Sequence, residues 1–343
     1  MRIVKLTDKV YGSSLANFHS SYEGGFPQRE QFLFQELQKL GVEFMFYRHK
    51  DLRDFDNILD ELKIVEILVE GDDTIVVDNP MSALLIPETF SGQIIFDCVD
   101  WYEEMYQKEF STDKLGLNLI RDGLRFLWRK ATKILCQSSV MKEWVQKHNP
   151  IAKIIENIPN GYDDKLFFPQ LCVKEDCQKM GTRIAVYVGK LGSWYEKIFD
   201  IIDEVNKSLD WKLYIVGDGP LGDKVKGRMI QGKTVFVGRV PLKDVPIWMN
   251  DADVCVFPVN DDSPLATTEY MACGKPVVHF GKRISWLVED GINGKLVENK
   301  NEWIKAMDFC YENKDEIGKR NTEKVKDLSW EKLAKKVKVI MEG

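Results

Sequence analysis

Short apolar runs separated by longer stretches of mixed character set the rhythm of this chain. Arg2–Leu6, Glu43–Tyr47, Thr74–Asp78, Ile94–Asp97, Ile134–Cys136 and Ile154–Ile158 make a first series of such runs. Arg183–Gly189, Lys212–Gly217, Thr234–Gly238, Asp253–Phe257 and Pro276–Phe280 make a second. Most are β-branched and apolar at successive positions rather than alternate ones. That pattern predicts parallel strands covered on both faces, since a half-exposed strand would alternate. With helices between them, the two series predict two doubly wound α/β domains. The span Phe167–Thr182, with Pro169, mixed charge and no periodicity, reads as the linker, so domains are expected at 1–168 and 180–327. Trp330–Met341 carries Leu333, Val337 and Ile340 on one face. A closing helix over about 328–343 is expected either to pack back on the first domain or to stay with the second.

The stretch SPLATTEYMACGKPVV, residues 263–278, reads locally as loop, short helix, tight turn and strand. Ser263 is a good N-cap, and Pro264 suits the first helical position, where its missing N–H costs nothing. Leu265–Cys273 holds no breaker, Gly274 sits where a left-handed C-cap is needed, and Pro276 prevents continuation. The N–H groups of Leu265 and Ala266 offer an anion site. Glu269 is the one carboxylate of this helix, on its second turn, placed to meet ribose hydroxyls. An ordinary α/β helix with a partly exposed Glu is the plainer reading, and the stretch alone does not choose.

At 343 residues the chain suits two cores rather than one. A net charge of −6 argues against nucleic acid as the main partner. No apolar run reaches the roughly 18 residues that cross a bilayer, and MRIVKLTDKVYG enters a strand with no signal-peptide core. Seven cysteines, an odd number, point to reduced thiols and a cytoplasmic home. Cys172 and Cys177 are the only close pair, and His19, His49, His148 and His279 are scattered, so no metal site is expected. A Rossmann oxidoreductase is excluded by the lack of a G-x-G-x-x-G turn after the first strand.

Ligands of open α/β sheets bind where strands end, which directs attention to the loops after each run. In the second half these contain YVGKLGSWYEK (187–197), LYIVGDGP (213–220), VFVGRVPLKDVPIWMNDADVCVFP (235–258), the 263–278 stretch and LVEDGINGKLV (287–297). A late LSWEKLAKKV (328–337) comes after them. The first half contains GGFPQREQFLFQELQKLGVEF (24–44), CQSSVMKEWV (136–145) and IPNGYDDKLF (158–167). In this order the segments resemble the glycosyltransferases of the GT-B fold, closest to the large GT4 family, over nearly the whole chain. The resemblance implies two Rossmann-like domains facing across a cleft, the first for the acceptor and the second for a nucleotide-sugar donor of UDP or GDP type. It implies metal-independent transfer to a glycan, lipid or other hydroxyl acceptor.

Carried over by position, the resemblance makes Glu269 the ribose-binding carboxylate. It makes Ser263, Pro264, Leu265 and Ala266 the phosphate and sugar site. Asp261 stands where the family often has a second Glu, one methylene longer, and Ala266 stands where some relatives have Lys. Lys190 and Lys197 match the basic pair that offsets charge on the diphosphate. Arg239 and Val240 match the segment whose backbone meets the base, and Gly25 permits close approach to the diphosphate. FDCVDW (96–101) resembles a strand-end acidic motif of some GT-B enzymes, including xanthan-type glucuronosyltransferases. By that likeness Asp100 is the candidate base and Asp97 a structural group. A catalytically weak nucleotide-sugar-binding protein and a sugar-nucleotide epimerase are the alternatives.

One further stretch, LGLNLIRDGLRFLWRKATKIL (115–135), puts Arg121, Arg125, Arg129 and Lys133 at i+4 spacing, with Leu117, Ile120, Leu124, Leu127 and Trp128 as an apolar side. A core helix before the CQSS strand is the favoured reading. Peripheral contact with the inner membrane face through helix 115–133 is the alternative.

Overall fold

The computed structural model describes residues 2–7, 28–148, 151–170, 181–192 and 195–343. Gly24 and Gly25, Trp194 and the pair Cys172 and Cys177 lie outside the described residues. The chain divides into two compact units, one of Met1–Pro159 with Leu333–Gly343, the other of Asn160–Lys332.

In the first unit, six strands among the described residues form one parallel sheet. They are β1 (Ile3–Thr7), β2 (Phe44–Arg48), β3 (Thr74–Val77), β4 (Gln93–Cys98), β5 (Lys133–Cys136) and β6 (Ile154–Asn157), in the order β2-β1-β3-β4-β5-β6. The helices are α1 (Gln28–Lys39), α2 (Phe55–Leu68), α3 (Pro80–Ala83), α4 (Tyr102–Glu109), α5 (Lys114–Lys130) and α6 (Ser139–His148). Every residue of β1, β3 and β5 is buried, which is what their unalternating apolar runs demand. The exceptions in kind are two lysines: Lys133 on β5, and Lys5, fully buried on β1 with its ammonium 2.5 Å from Asp78.

Helix α5 sends Ile120, Leu124, Phe126 and Leu127 into the core. It lies close enough to α3 that a Cβ on Gly123 would stand 1.9 Å from the Pro80 carbonyl oxygen. Its basic stripe is paired within the unit: Arg121 to Glu103 at 2.8 Å, Arg125 to Asp122 at 2.8 Å, Arg129 to Glu88 at 3.2 Å. Lys133 is not part of that stripe. The helix ends at Lys130, and Lys133 is buried on β5, where its ammonium donates to the Ile340 carbonyl at 2.5 Å and burial lowers its pKa. The apolar side that could have met lipid is thus a core face.

The second unit repeats the plan. Its strands are β7 (Arg183–Val188), β8 (Trp211–Val216), β9 (Thr234–Gly238), β10 (Val254–Phe257), β11 (Val277–Phe280) and β12 (Gly294–Val297), all parallel, in the order β12-β11-β10-β7-β8-β9. Its helices are α7 (Ile198–Lys207), α8 (Gly222–Arg228), α9 (Val245–Asp251), α10 (Leu265–Ala272), α11 (Trp303–Glu312) and α12 (Lys314–Val325). Strand β12 has no apolar run to announce it; GKLV is an edge strand of four residues with a lysine inside it.

The units part at Pro159–Asn160, ahead of the expected residue 168. Tyr162 and Phe167 explain the difference, since both are buried in the second unit's core, and a stretch as short and charged as YDDKLF shows no periodicity. The last helix, α13 (Trp330–Glu342), has its residues from Leu333 onward in the first unit. Leu333, Ala334 and Val337 are buried there, Lys336 donates to the Asn157 carbonyl at 3.0 Å, and Lys338 donates to that of Leu40 at 2.8 Å.

Candidate functional site

The second sheet reverses its winding between β7 and β10: the chain lays β8 and β9 on one side of β7, then returns to place β10, β11 and β12 on the other. The carboxyl ends of the strands at such a switch point diverge and leave a crevice. The loops after β7 and β10 are therefore the ones that matter, and they hold most of the residues singled out from the sequence.

The loop from β10 to α10 is tied at several points. Trp286 donates its indole N–H to the Asp262 carbonyl at 2.6 Å, and the Arg283 N–H donates to the Asn260 side chain at 3.1 Å. The Ser263 N–H donates to the Asp261 carboxylate at 3.0 Å. Asn160 donates its side-chain amide to the Ser263 carbonyl at 2.6 Å and its backbone N–H to the Ser263 hydroxyl at 3.3 Å.

Two expectations need correction here. Pro264, at φ −68° and ψ 130°, is the N-cap residue rather than the first helical one, and no side chain caps α10. The Ser263 hydroxyl faces Asn160 instead. Leu265 and Ala266 then occupy the first two helical positions, where no carbonyl of the helix itself reaches their N–H groups. At the other end Gly274 has φ +69°, the left-handed C-cap expected of it.

Glu269 is buried, and its carboxyl has no hydrogen-bond partner among the described residues. Burial pushes its pKa up to about 8, and the charge of Asp163 adds to the rise. The next residue, Tyr270, locks the helix to the end of β7: its hydroxyl accepts from the Val188 N–H at 2.7 Å and donates to the Val188 carbonyl at 3.1 Å. Thr267, fully buried in the first turn of the helix, has a hydroxyl with no partner among the described residues. Asp261 is half-buried, and burial, with the neighbouring Asp262 charge, pushes its pKa up to about 6.

On the β7 side, Lys190 is exposed and its carbonyl accepts the Tyr187 hydroxyl at 2.7 Å. Lys197 is the N-cap residue of α7, with its ammonium 3.1 Å from Asp200 and 5.2 Å above the Phe280 ring at the end of β11. The loops after β7 and β8 are pressed together. The Leu191 N–H donates to the Asp218 carbonyl at 3.0 Å, and a Cβ on Gly217, at φ +130°, would stand 1.9 Å from the Gly189 oxygen. Arg239, exposed, and Val240, packed on the core, come after the edge strand β9 and stand apart from the switch point.

In the first unit, Asp97 is closed off. Arg29 of α1 donates to its two oxygens at 2.8 and 3.3 Å and also to the carbonyls of Ile158 and Pro159. That is the structural role expected for Asp97, although nothing in the sequence named Arg29 as the partner. Asp100 lies just past β4, half-buried, ahead of α4. Gly25 lies outside the described residues. Asn160, held to Ser263 in the fold, was not singled out from the sequence; its only signal was its place in IPNGYDDKLF. Among the described residues no group of His, Cys, Asp and Glu is arranged to hold a metal ion, and no helix is long and apolar enough to cross a membrane.

Comparison with known proteins gives this geometry a context. The sequence profile of the family described as glycosyl transferases group 1 matches residues 182–313. An uncharacterized glycosyltransferase of Methanocaldococcus jannaschii is 26% identical over an alignment of 234 residues that covers 64% of this chain and 62% of that relative's length. The sucrose-phosphate synthase of Thermosynechococcus elongatus has the same fold across 100% of this chain and 98% of its own, at a TM-score of 0.76 and 17% identity. HepE of Anabaena, solved in complex with UDP, matches over 100% of both chains with a TM-score of 0.69 and 16% identity. Residues 182–313 are therefore a glycosyl transferases group 1 domain, carried by a chain whose two parallel-sheet units make a GT-B fold.

Proposed function

We propose that this protein transfers a glycosyl group from a nucleotide-activated sugar to a hydroxyl acceptor, and that the second unit holds the donor. The observation that carries the reading is the switch-point pair: a buried carboxyl, Glu269, without a hydrogen-bond partner among the described residues, on a helix whose first N–H groups no side chain caps. A helix N-terminus with open N–H groups attracts an anion, and a diphosphate fits it. A carboxyl one turn inward accepts hydrogen bonds from ribose hydroxyls. Lys190 and Lys197 offset the charge that builds on the departing nucleoside diphosphate. Arg239 and Val240 flank the base. A UDP-type donor is favoured because HepE, of the same fold, has been solved with UDP-glucose.

Transfer proceeds without a metal ion, since lysines and the helix terminus supply the positive field. The acceptor is a glycan or a lipid-linked hydroxyl, and Asp100 takes its proton if the reaction inverts configuration. Asp100→Asn should then leave donor affinity unchanged and lower kcat by roughly a hundredfold. In a retaining enzyme the same change matters little.

The test is thermal shift with UDP, GDP, ADP and dTDP, then release of the diphosphate from the matching sugar nucleotide with and without EDTA. One nucleotide raising Tm, with turnover that survives EDTA, is expected. No shift with any of the four would sink the donor-site reading; activity lost in EDTA and restored by manganese would sink its metal-free part.

A further inference from the structure

The N–H groups of Leu265 and Ala266 bind an anion only if they point the right way, and nothing on α10 itself sets that direction. Its N-cap is a proline, which has no side-chain acceptor and no N–H of its own. The residue ahead of that proline is held from elsewhere. All three polar groups of Ser263 are engaged: the N–H by Asp261, the hydroxyl and the carbonyl by Asn160. Asn160 lies 103 residues earlier in the chain. Gly161 and Tyr162 fix Asn160 in turn. The Tyr162 N–H donates to the Leu328 carbonyl at 3.2 Å, the Trp330 N–H donates to the Tyr162 carbonyl at 3.0 Å, and a Cβ on Gly161 would stand 2.7 Å from the Leu328 oxygen.

From these contacts we infer that Asn160 is a positioning residue of the donor site, its amide setting the orientation of the α10 N-terminus through the Ser263 carbonyl. This rests on the donor-site reading above. The mechanics are those of a short rigid chain. The Ser263–Pro264 peptide is planar, and the pyrrolidine ring fixes the next torsion at −68°. Once the Ser263 carbonyl is held, one torsion, the ψ of Pro264, remains before the Leu265 N–H. The 2.6 Å bond from the Asn160 amide is what holds that carbonyl. The amide is used in one direction only: Nδ2 donates to Ser263, while Oδ1 is buried without a partner among the described residues. A donor at this place, rather than mere bulk, is what the site keeps.

Asn160→Asp has the same shape and no donor, and it turns a carboxylate toward a carbonyl. Asn160→Ser is a second variant, too short to reach. Calorimetry should compare binding of the diphosphate that the wild type selects from UDP, GDP, ADP and dTDP with binding of the corresponding nucleoside. In both variants the diphosphate should weaken at least tenfold while the nucleoside changes less than twofold, because the base and ribose contacts do not run through Ser263. A residue with a merely structural role would weaken both ligands alike, and that result overturns the inference while leaving the donor site standing. Neither variant folding would also overturn it. A wild type that binds none of the four nucleotides removes the donor-site reading itself, a distinguishable failure.

Discussion

The two units place acidic groups near the ends of their parallel strands and treat them in opposite ways. In the first, Asp97 is held by Arg29 and Asp78 by Lys5, with all four side chains buried. In the second, Glu269 is also withdrawn from water and has no hydrogen bond among the described residues, so its pKa climbs to about 8. A buried carboxylate that meets a cation completes the fold. One that meets nothing costs stability, and the cost is tolerated where a ligand supplies the missing partners. Position at a strand end does not separate the two cases; the partner does.

Breaking the closed pair should have the largest effect. Arg29→Ala leaves Asp97, 1% exposed, without its cation. A loss of about 3–5 kcal/mol is expected in chemical denaturation, as for other buried pairs cut on one side; a loss below about 1 kcal/mol would show that water reaches Asp97 and that the contrast is false.

Glu269→Gln should do the reverse to the fold while harming the site. Its folded pKa lies above the unfolded carboxyl value, so the folded state holds the proton more tightly. Stability is then lost as pH rises from about 4.5 to about 8. The Gln variant should lack that slope, matching the parent near pH 4 and exceeding it at pH 8. Donor affinity, measured above pH 8 where the carboxylate is ionised, should fall by about 2–3 kcal/mol, the worth of charged hydrogen bonds to two hydroxyls. Parallel pH–stability curves for the two proteins would remove the claim that Glu269 stands open.

Lys197→Ala and Lys190→Ala probe charge at the same end of the sheet without burial. Each should weaken the nucleoside diphosphate about tenfold, by the loss of one near charge, and leave Tm unchanged. Equal weakening of the nucleoside would argue for a packing role. The smallest effect belongs to α5: Arg125→Ala breaks an exposed pair with Asp122 and should change stability by no more than about 0.5 kcal/mol. A larger loss would mean that the basic stripe does more than cover a core helix.

Much of the fold could be read in advance, because a strand buried on both faces has to be apolar at every position. Thr74–Val77 and Val254–Phe257 state this directly. Strand β12 could not be read, since an edge strand need bury only part of itself. The short helix at 265–272 was visible through Gly274 and Pro276, whose torsional limits act locally. Its cap was not, because Ser263 has a partner 103 residues away and local preference cannot compete with a bond it does not know of. The same holds for Lys133, whose spacing belongs to a helix stripe and whose ammonium belongs to the last turn of α13. Local backbone shape around the candidate site was legible, as at Gly274; pairings across long separation were not.

The contact of Gly217 on the Gly189 carbonyl bears on how this protein can change over generations. With no room for even a methyl group between them, the loops after β7 and β8 cannot drift separately: a substitution or a length change in one displaces the other. They are inherited as a single part. On the donor-site reading proposed above, a descendant that acquires a different nucleotide finds its new contacts after β9, where Arg239 stands exposed beyond an edge strand rather than wedged between two loops.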